Sequence, residues 1–146
     1  MRVVVQRSLE SSVTIDSKIV GSIKSGLVLL VGFTPGDTEK EIDYMVKKVL
    51  NLRIFDDENG VMNKSILDVG GEILSISQFT LYGNAEKGNR PSYIDAMKGA
   101  EATVLYDLFN NKLREHIKVE TGQFGADMLV NINNNGPVTI LLEKEA

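Results

Sequence analysis

The sequence predicts an α/β domain: a mixed, largely antiparallel, barrel-like β structure covered by two amphipathic helices, in one domain spanning residues 1–146. Three observations predict it. The first third is made of short apolar runs with period-2 alternation, "RVVVQ", "SVTID", "KIVGSI" and "GLVLLVGF". Two later segments carry apolar residues at helical spacing. At 146 residues the chain is long enough to bury a real core and too short for two comfortable ones.

In chain order, Asp16-Ser17 separates two alternating runs as a hairpin turn does, and Gly26 opens a strand apolar on both faces. In "DTEKEIDYMVKKVLNL", Ile42, Met45, Val46, Val49 and Leu50 form one helix face. Thr38 with Glu41 is a capping box that marks the helix start. "RIFDDENGVMN" reads as a short strand running into a turn at Asn59-Gly60, and "GGEILSISQFTL" as the next strong strand. A second helix is predicted from about Gly99 to His116, with Ala102, Leu105, Tyr106, Phe109 and Leu113 on one side. Three strands follow, "IKVET", "ADMLVNI" and "PVTILL". No repeat, low-complexity tract or Pro/Ser-rich linker interrupts them.

Hydrophobic residues make up 42% and charged residues 25%, the balance of a globular chain. With no cysteine, disulfides and thiolate metal sites are excluded. The opening "MRVVVQRSLESS" has only three consecutive apolar residues before Gln6, too few for a signal-peptide core or membrane span, so a cytoplasmic location and no membrane partner are expected. A formal charge of −4 argues against broad nonspecific nucleic-acid binding and leaves room for a locally gripped partner.

Conventional catalytic sets are scarce. The only histidine, His116, falls near the end of the second helix, where a cation meets the helix dipole favourably. Neither phosphate-cradling glycine pattern occurs, and "DDENG" lacks the spacing of a calcium loop, so no cofactor and no metal are expected. Lys40, Lys47 and Lys48 read as solvent-facing helix lysines that could touch a phosphate backbone.

Two segments stand out. In "ILSISQFTLYGNAEKGNRPSY", alternation places Gln78 and Thr80 in the apolar row of Leu74 and Ile76. Either the strand emerges into water there, or these side chains line a pocket at a strand end. In "NINNNGPVTILL" the Asn run and Gly136-Pro137 are ordinary turn material by themselves.

Together with two further motifs these segments carry a resemblance. "SQFTL" (Ser77 to Leu81), "KGNRPS" (Lys87 to Ser92), "TGQFGADM" (Thr121 to Met128) and "NNGPVT" (Asn134 to Thr139) occur in the order and at the separations of the D-aminoacyl-tRNA deacylases. The opening "VQRSLESSVTID" and "GLVLLVGF" also look like that family's first strands, so the resemblance covers essentially the whole chain. One departure is Asn135, where many members have Asp.

The resemblance implies the deacylase-type fold and hydrolysis of the ester between a D-amino acid and the terminal adenosine of tRNA. Glycyl-tRNA should be accepted to some degree, because glycine has no Cβ to exclude. It further implies a homodimer with active sites at the subunit interface, the "SQFTL" strand of one subunit facing a cis Gly-Pro loop from the other. Ser77, Gln78, Phe79 and Thr80 would then form the catalytic segment, with backbone amides around Gln78, Phe79 and Thr80 as oxyanion donors. Thr80 as a nucleophile would need a base that the motif lacks. Gly136 and Pro137 would select the substrate's chirality, and Arg7 matches a family arginine supporting their loop. Ala126 and Met128, on one face of a strand, would build pocket walls, and Phe124 could stack on the terminal adenine. Lys87 and Arg90 are candidates for acceptor-stem phosphate contacts. Alternatives are an editing domain like that of archaeal threonyl-tRNA synthetases, which removes an L-amino acid, and a noncatalytic RNA-binding module on the same fold.

Overall fold

The structure is a computed structural model and describes residues 1–146. Its largest sheet has the strand order β10-β1-β4-β7-β8. These strands are β1 (Arg2–Ser8), β4 (Gly26–Gly32), β7 (Glu72–Ser77), β8 (Val119–Thr121) and β10 (Asn134–Glu143). β1 runs antiparallel to both β10 and β4, whereas β4–β7 and β7–β8 are parallel. Parallel neighbours need crossovers, and α1 (Glu39–Asn51) and α3 (Gly99–Arg114) lie within them.

A second sheet, ordered β3-β2-β9, contains β2 (Ser11–Ile15), β3 (Lys18–Ile23) and β9 (Leu129–Asn131). Its hairpin turns at Asp16-Ser17, both with positive φ (49° and 65°), the backbone that a tight two-residue hairpin requires. β3 packs against β7 and β8, curling the β structure toward a barrel. Val13 and Ile23 of this sheet meet Val28, Leu74 and Ile76 in a small second core. The main core lies on the opposite face, where Leu27, Leu29, Val31 and Ile73 pack against Ile42, Met45, Val49, Phe109 and Leu113 of the helices. Covered on both faces, β4 is the continuous apolar run seen in the sequence.

The α1 start is as expected: Thr38 caps the helix, and Glu41 accepts from the Thr38 backbone amide at 2.7 Å and its hydroxyl at 2.9 Å. The first of these bonds is the main cause that holds the Glu41 carboxyl below its usual range, against the opposing effect of burial. All five residues expected on the buried face of α1 are buried. A third helix was not foreseen. α2 (Ile66–Val69) is a single turn fixed by its own Ser65/Asp68 capping box, too short to show periodicity. It follows the small β5 (Phe55–Asp56) and β6 (Met62–Lys64) hairpin. No helix is long and apolar enough to cross a membrane.

Candidate active site

β4 and β7 end together, with Val31 paired to Ser77, and a cavity of about 290 Å³ opens beyond them. Crevices beyond the carboxyl ends of parallel strands are common ligand sites. Ser77, Gln78 and Phe79 form one wall, Phe124, Ala126 and Met128 another, and Val31 to Phe33 with Met97 and Ala102 complete it.

The "SQFTL" strand stops earlier than alternation predicts. The Gln78 amide donates the last bond toward β4, to Val31 O at 2.7 Å, and the chain then tightens into a 3-10 turn over Phe79–Tyr82. Leu81 N bonds Gln78 O at 3.2 Å, and Gly83 N bonds Thr80 O at 2.9 Å. Gly32 permits this close return, since a Cβ there would lie 3.0 Å from Gln78 O and 3.2 Å from Leu81 Cβ.

Two expectations change as a result. Thr80 does not continue the Leu74/Ile76 row, being exposed and outside the cavity, whereas Gln78 lines it beside Ile76. The Gln78 amide is already engaged and cannot be an oxyanion donor. The amides of Phe79 and Thr80 instead lead the turn, where a helix start leaves N–H groups without intrahelical acceptors. The Gln78 side-chain amide donates to the Thr80 hydroxyl. Phe79 is 55% exposed and meets Tyr93 edge-on, with ring centroids 5.2 Å apart.

The opposing wall also differs from the expected strand. β9 begins only at Leu129, and the segment before it is a turn in which Ala126 N bonds Gln123 O at 3.2 Å. A turn presents consecutive residues to the cavity, so Asp127 lines it beside Ala126 and Met128. Strand alternation had hidden Asp127 although it lies inside "TGQFGADM". Phe124 rests on the Tyr106 ring, centroids 5.9 Å apart, and the Tyr106 hydroxyl donates to Ser75 O at 2.7 Å. That bond ties α3 to β7, and burial raises the Tyr106 pKa. Gly32, Met97 and Ala102 were missed as lining residues because nothing local in the sequence distinguishes them from core. No histidine, lysine or arginine lines the cavity, and Asp127 is its only carboxylate.

Gly136-Pro137 is not part of this cavity. Ser8 pairs with Asn134 and with Gly26, which pairs with Glu72; Val31, at the other end of β4, pairs with Ser77. The loop therefore lies at the end of the large sheet opposite to Gln78, separated by the length of β7, about 20 Å at 3.3 Å per residue. Its peptide bond is cis.

Arg7 braces the loop from within the chain. Its Nε donates to Asn135 O at 3.2 Å and its Nη1 to Ile54 O at 2.9 Å, with Asp56 3.4 Å away. Asn134 closes the loop from the other side, donating to Arg7 O at 3.1 Å and Val138 O at 3.0 Å. Gly136 has φ +124°, and a Cβ there would meet Arg7 Nη2 at 3.0 Å, so the tight brace calls for glycine.

Lys87 and Arg90 stand exposed in a loop pinched by reciprocal 2.8 Å bonds between Asn84 and Ser92. No group of three or more His, Asp or Glu side chains converges as a metal site would. His116 lies just beyond the end of α3, exposed, its amide bonded to Leu113 O at 3.0 Å.

Comparison with known proteins fits this geometry into a family. Residues 4–143 match the model of the D-Tyr-tRNA(Tyr) deacylase family. The chain is 58% identical over 146 residues to a D-aminoacyl-tRNA deacylase of Clostridium tetani, covering 99% of this chain and 98% of that one. It is 57% identical over 144 residues to one of Brevibacillus brevis, covering 98% and 99%. Among solved structures, the c-Myc DNA unwinding element binding protein superposes with a TM-score of 0.94 at 43% identity, covering 100% of both chains. The structure of a "probable eukaryotic D-amino acid tRNA deacylase" superposes at 0.83 over 97% of both chains; at 19% identity it speaks for the fold alone.

Proposed function

The chain belongs to the D-Tyr-tRNA(Tyr) deacylase family, and from that premise we propose that it hydrolyses the ester of D-aminoacyl-tRNA, releasing tRNA and the free D-amino acid in the cytoplasm. The observation that carries the mechanism is a cavity with free-leading backbone amides and no side-chain acid–base couple. Ester hydrolysis passes through a tetrahedral oxyanion, and one preorganised donor is worth about 2.7–4 kcal/mol there. The amide of Phe79, on the cavity wall, and that of Thr80, next to it in the same turn, are the donors. Water attacks with help from the ribose 2′-hydroxyl of the terminal adenosine, because Thr80 has no base beside it. Ser77 and Gln78 shape the wall, Gln78 by holding Thr80, while Phe124, Ala126 and Met128 hold the adenosine.

Gly136 and Pro137 act in a second copy. In one chain they stand at the wrong end of the sheet, and a homodimer that places one subunit's loop over its partner's cavity completes two sites. The two loop carbonyls bind the substrate α-ammonium and occupy the space an L side chain needs, whereas a D side chain points to solvent. Chirality is read by exclusion, so the range of D side chains is broad and glycine passes. Lys87 and Arg90 contact acceptor-stem phosphates.

Incubating matched D-aminoacyl-, L-aminoacyl- and glycyl-tRNA with the protein tests this. Deacylation of the D ester, partial hydrolysis of the glycyl ester and sparing of the L ester are expected. Efficient hydrolysis of the L ester, or none of any ester, sinks the proposal.

A further inference from the structure

We propose that the outer face of α1 is a second, remote binding surface for the substrate's RNA backbone. α1 carries three acids and three lysines, and Lys47 also borders Asp43. Its acids are occupied elsewhere: Glu41 in the capping box, and Glu39 and Asp43 both on Lys112. Opposite the buried row, the i, i+3, i+4 and i+7 positions carry Tyr44, Lys47, Lys48 and Asn51, all exposed.

With Leu52 and Arg53 these four residues line a groove of about 420 Å³ that contains three cations and no acid, in a chain of net charge −4. Neither Lys47, Lys48 nor Arg53 forms a salt bridge. Arg53 spends Nε and Nη2 on Asn63 and keeps Nη1 free. At the groove's other end the Lys144 ammonium lies 5.1 Å and that of Lys48 5.7 Å from the Tyr44 ring centroid, adding a fourth cation and a flat aromatic face. Unpaired cations beside an aromatic and an amide match a sugar-phosphate chain, which offers anionic oxygens and π-faces.

One end of the groove is linked to the Gly136-Pro137 loop through Arg7. Arg53 adjoins Ile54, whose carbonyl accepts from Arg7, and Arg7 in turn holds Asn135 beside Gly136-Pro137. In a dimer whose loop caps the partner's cavity, the Arg53 end of the groove stands beside that loop. The inference rests on the deacylase reading for its ligand, but the groove itself is tested by tRNA alone.

The experiment uses the double charge reversal Lys47→Glu/Lys48→Glu combined with Arg53→Glu, and Lys47→Arg/Lys48→Arg as the conservative partner. Binding of uncharged tRNA is followed between 50 and 200 mM salt. Three phosphate contacts contribute a slope of about −2.7 in log K against log salt, or about 40-fold over that range. The reversal should flatten the slope by about that amount, and the arginine variant should keep it. On the enzyme side, the ratio of kcat/KM on D-aminoacyl-tRNA to that on D-aminoacyl-adenosine should fall at least tenfold for the reversal, through KM. Unchanged tRNA affinity and slope, or equal loss on both substrates, overturns the inference. If the wild type binds tRNA through this face but hydrolyses no D ester, only the enzymatic reading falls.

Discussion

Replacing Arg7 with methionine separates a loop-bracing role from a mere strand-edge charge. Methionine keeps most of the apolar stem in a site where the arginine side chain is 11% exposed, and removes only the guanidinium. Two carbonyls, of Asn135 and Ile54, lose a charged donor at 3.2 and 2.9 Å. The Asp56 contact at 3.4 Å, to a side chain 53% exposed, adds little. With a bond to a charged donor worth about 1.5–3 kcal/mol, and water able to reach part of the site, the loop conformation loses about 2–4 kcal/mol. At 1.4 kcal/mol per decade, kcat/KM on D-aminoacyl-tRNA should fall about 30- to 700-fold. Lysine, able to reach one carbonyl at a time, should restore only part. Circular dichroism checks that the variant is folded, and single-turnover deacylation reads the loss. A folded methionine variant within threefold of wild type refutes the bracing role and, with it, the need for an ordered Gly136-Pro137 loop.

Three further outcomes are expected. Mixing and refolding Arg7→Met subunits with subunits crippled in the Phe79 turn should regain about a quarter of wild-type activity, since half the dimers are mixed and each holds one intact site; no recovery means that loop and cavity act within one chain. Thr80→Val removes the acceptor of the Gln78 side-chain bond and, at about 0.5–1.5 kcal/mol for that bond, should slow turnover about 2- to 13-fold. Loss of more than three decades in kcat with KM unchanged would instead make Thr80 a nucleophile. Glu41 has a depressed folded pKa, so its stabilisation is present above the ordinary carboxylate value of 4.5 and is lost as pH falls through the lower folded value. Glu41→Gln should therefore be less stable at pH 7 with a flatter acid limb, and parallel denaturation curves from pH 3 to 7 would contradict the capping role.

What the sequence revealed and concealed follows the range of the interactions involved. α1 was legible because its signals are local: the Thr38/Glu41 box and a five-residue apolar face lie within one helix. The end of β7 was not, because its cause is distant. Gly32, 46 positions before Gln78 in the numbering, lets the chain turn back at that point, and no period-2 pattern records a neighbour on another strand. Asp127 was lost the same way, since alternation holds only for extended backbone and the chain turns at residues 124–126, before β9 begins at Leu129. Which wall each motif builds therefore had to come from tertiary structure, even where the motifs themselves were plain.

The separation of the two motifs bears on how the chemistry tolerates change. If the oxyanion donors are the amides of Phe79 and Thr80, their position depends on the turn, and the turn depends on backbone bonds from Gln78 to Val31 and from Gly83 to Thr80. Side chains at 78 to 80 can then vary at modest cost, while a Cβ at position 32, which would press on Gln78 O, moves both donors together. On the dimeric reading the Gly136-Pro137 end would behave in the same way, offering carbonyl oxygen, and within the chain Arg7 and Asn134 hold its backbone. On the proposed reading, a site built from main chain on both sides has little use for conventional catalytic side chains, in keeping with a cavity whose only charged lining residue is Asp127. Its weak points are accordingly the residues that fix the backbone, Gly32 and Arg7, neither of which needs to touch the substrate.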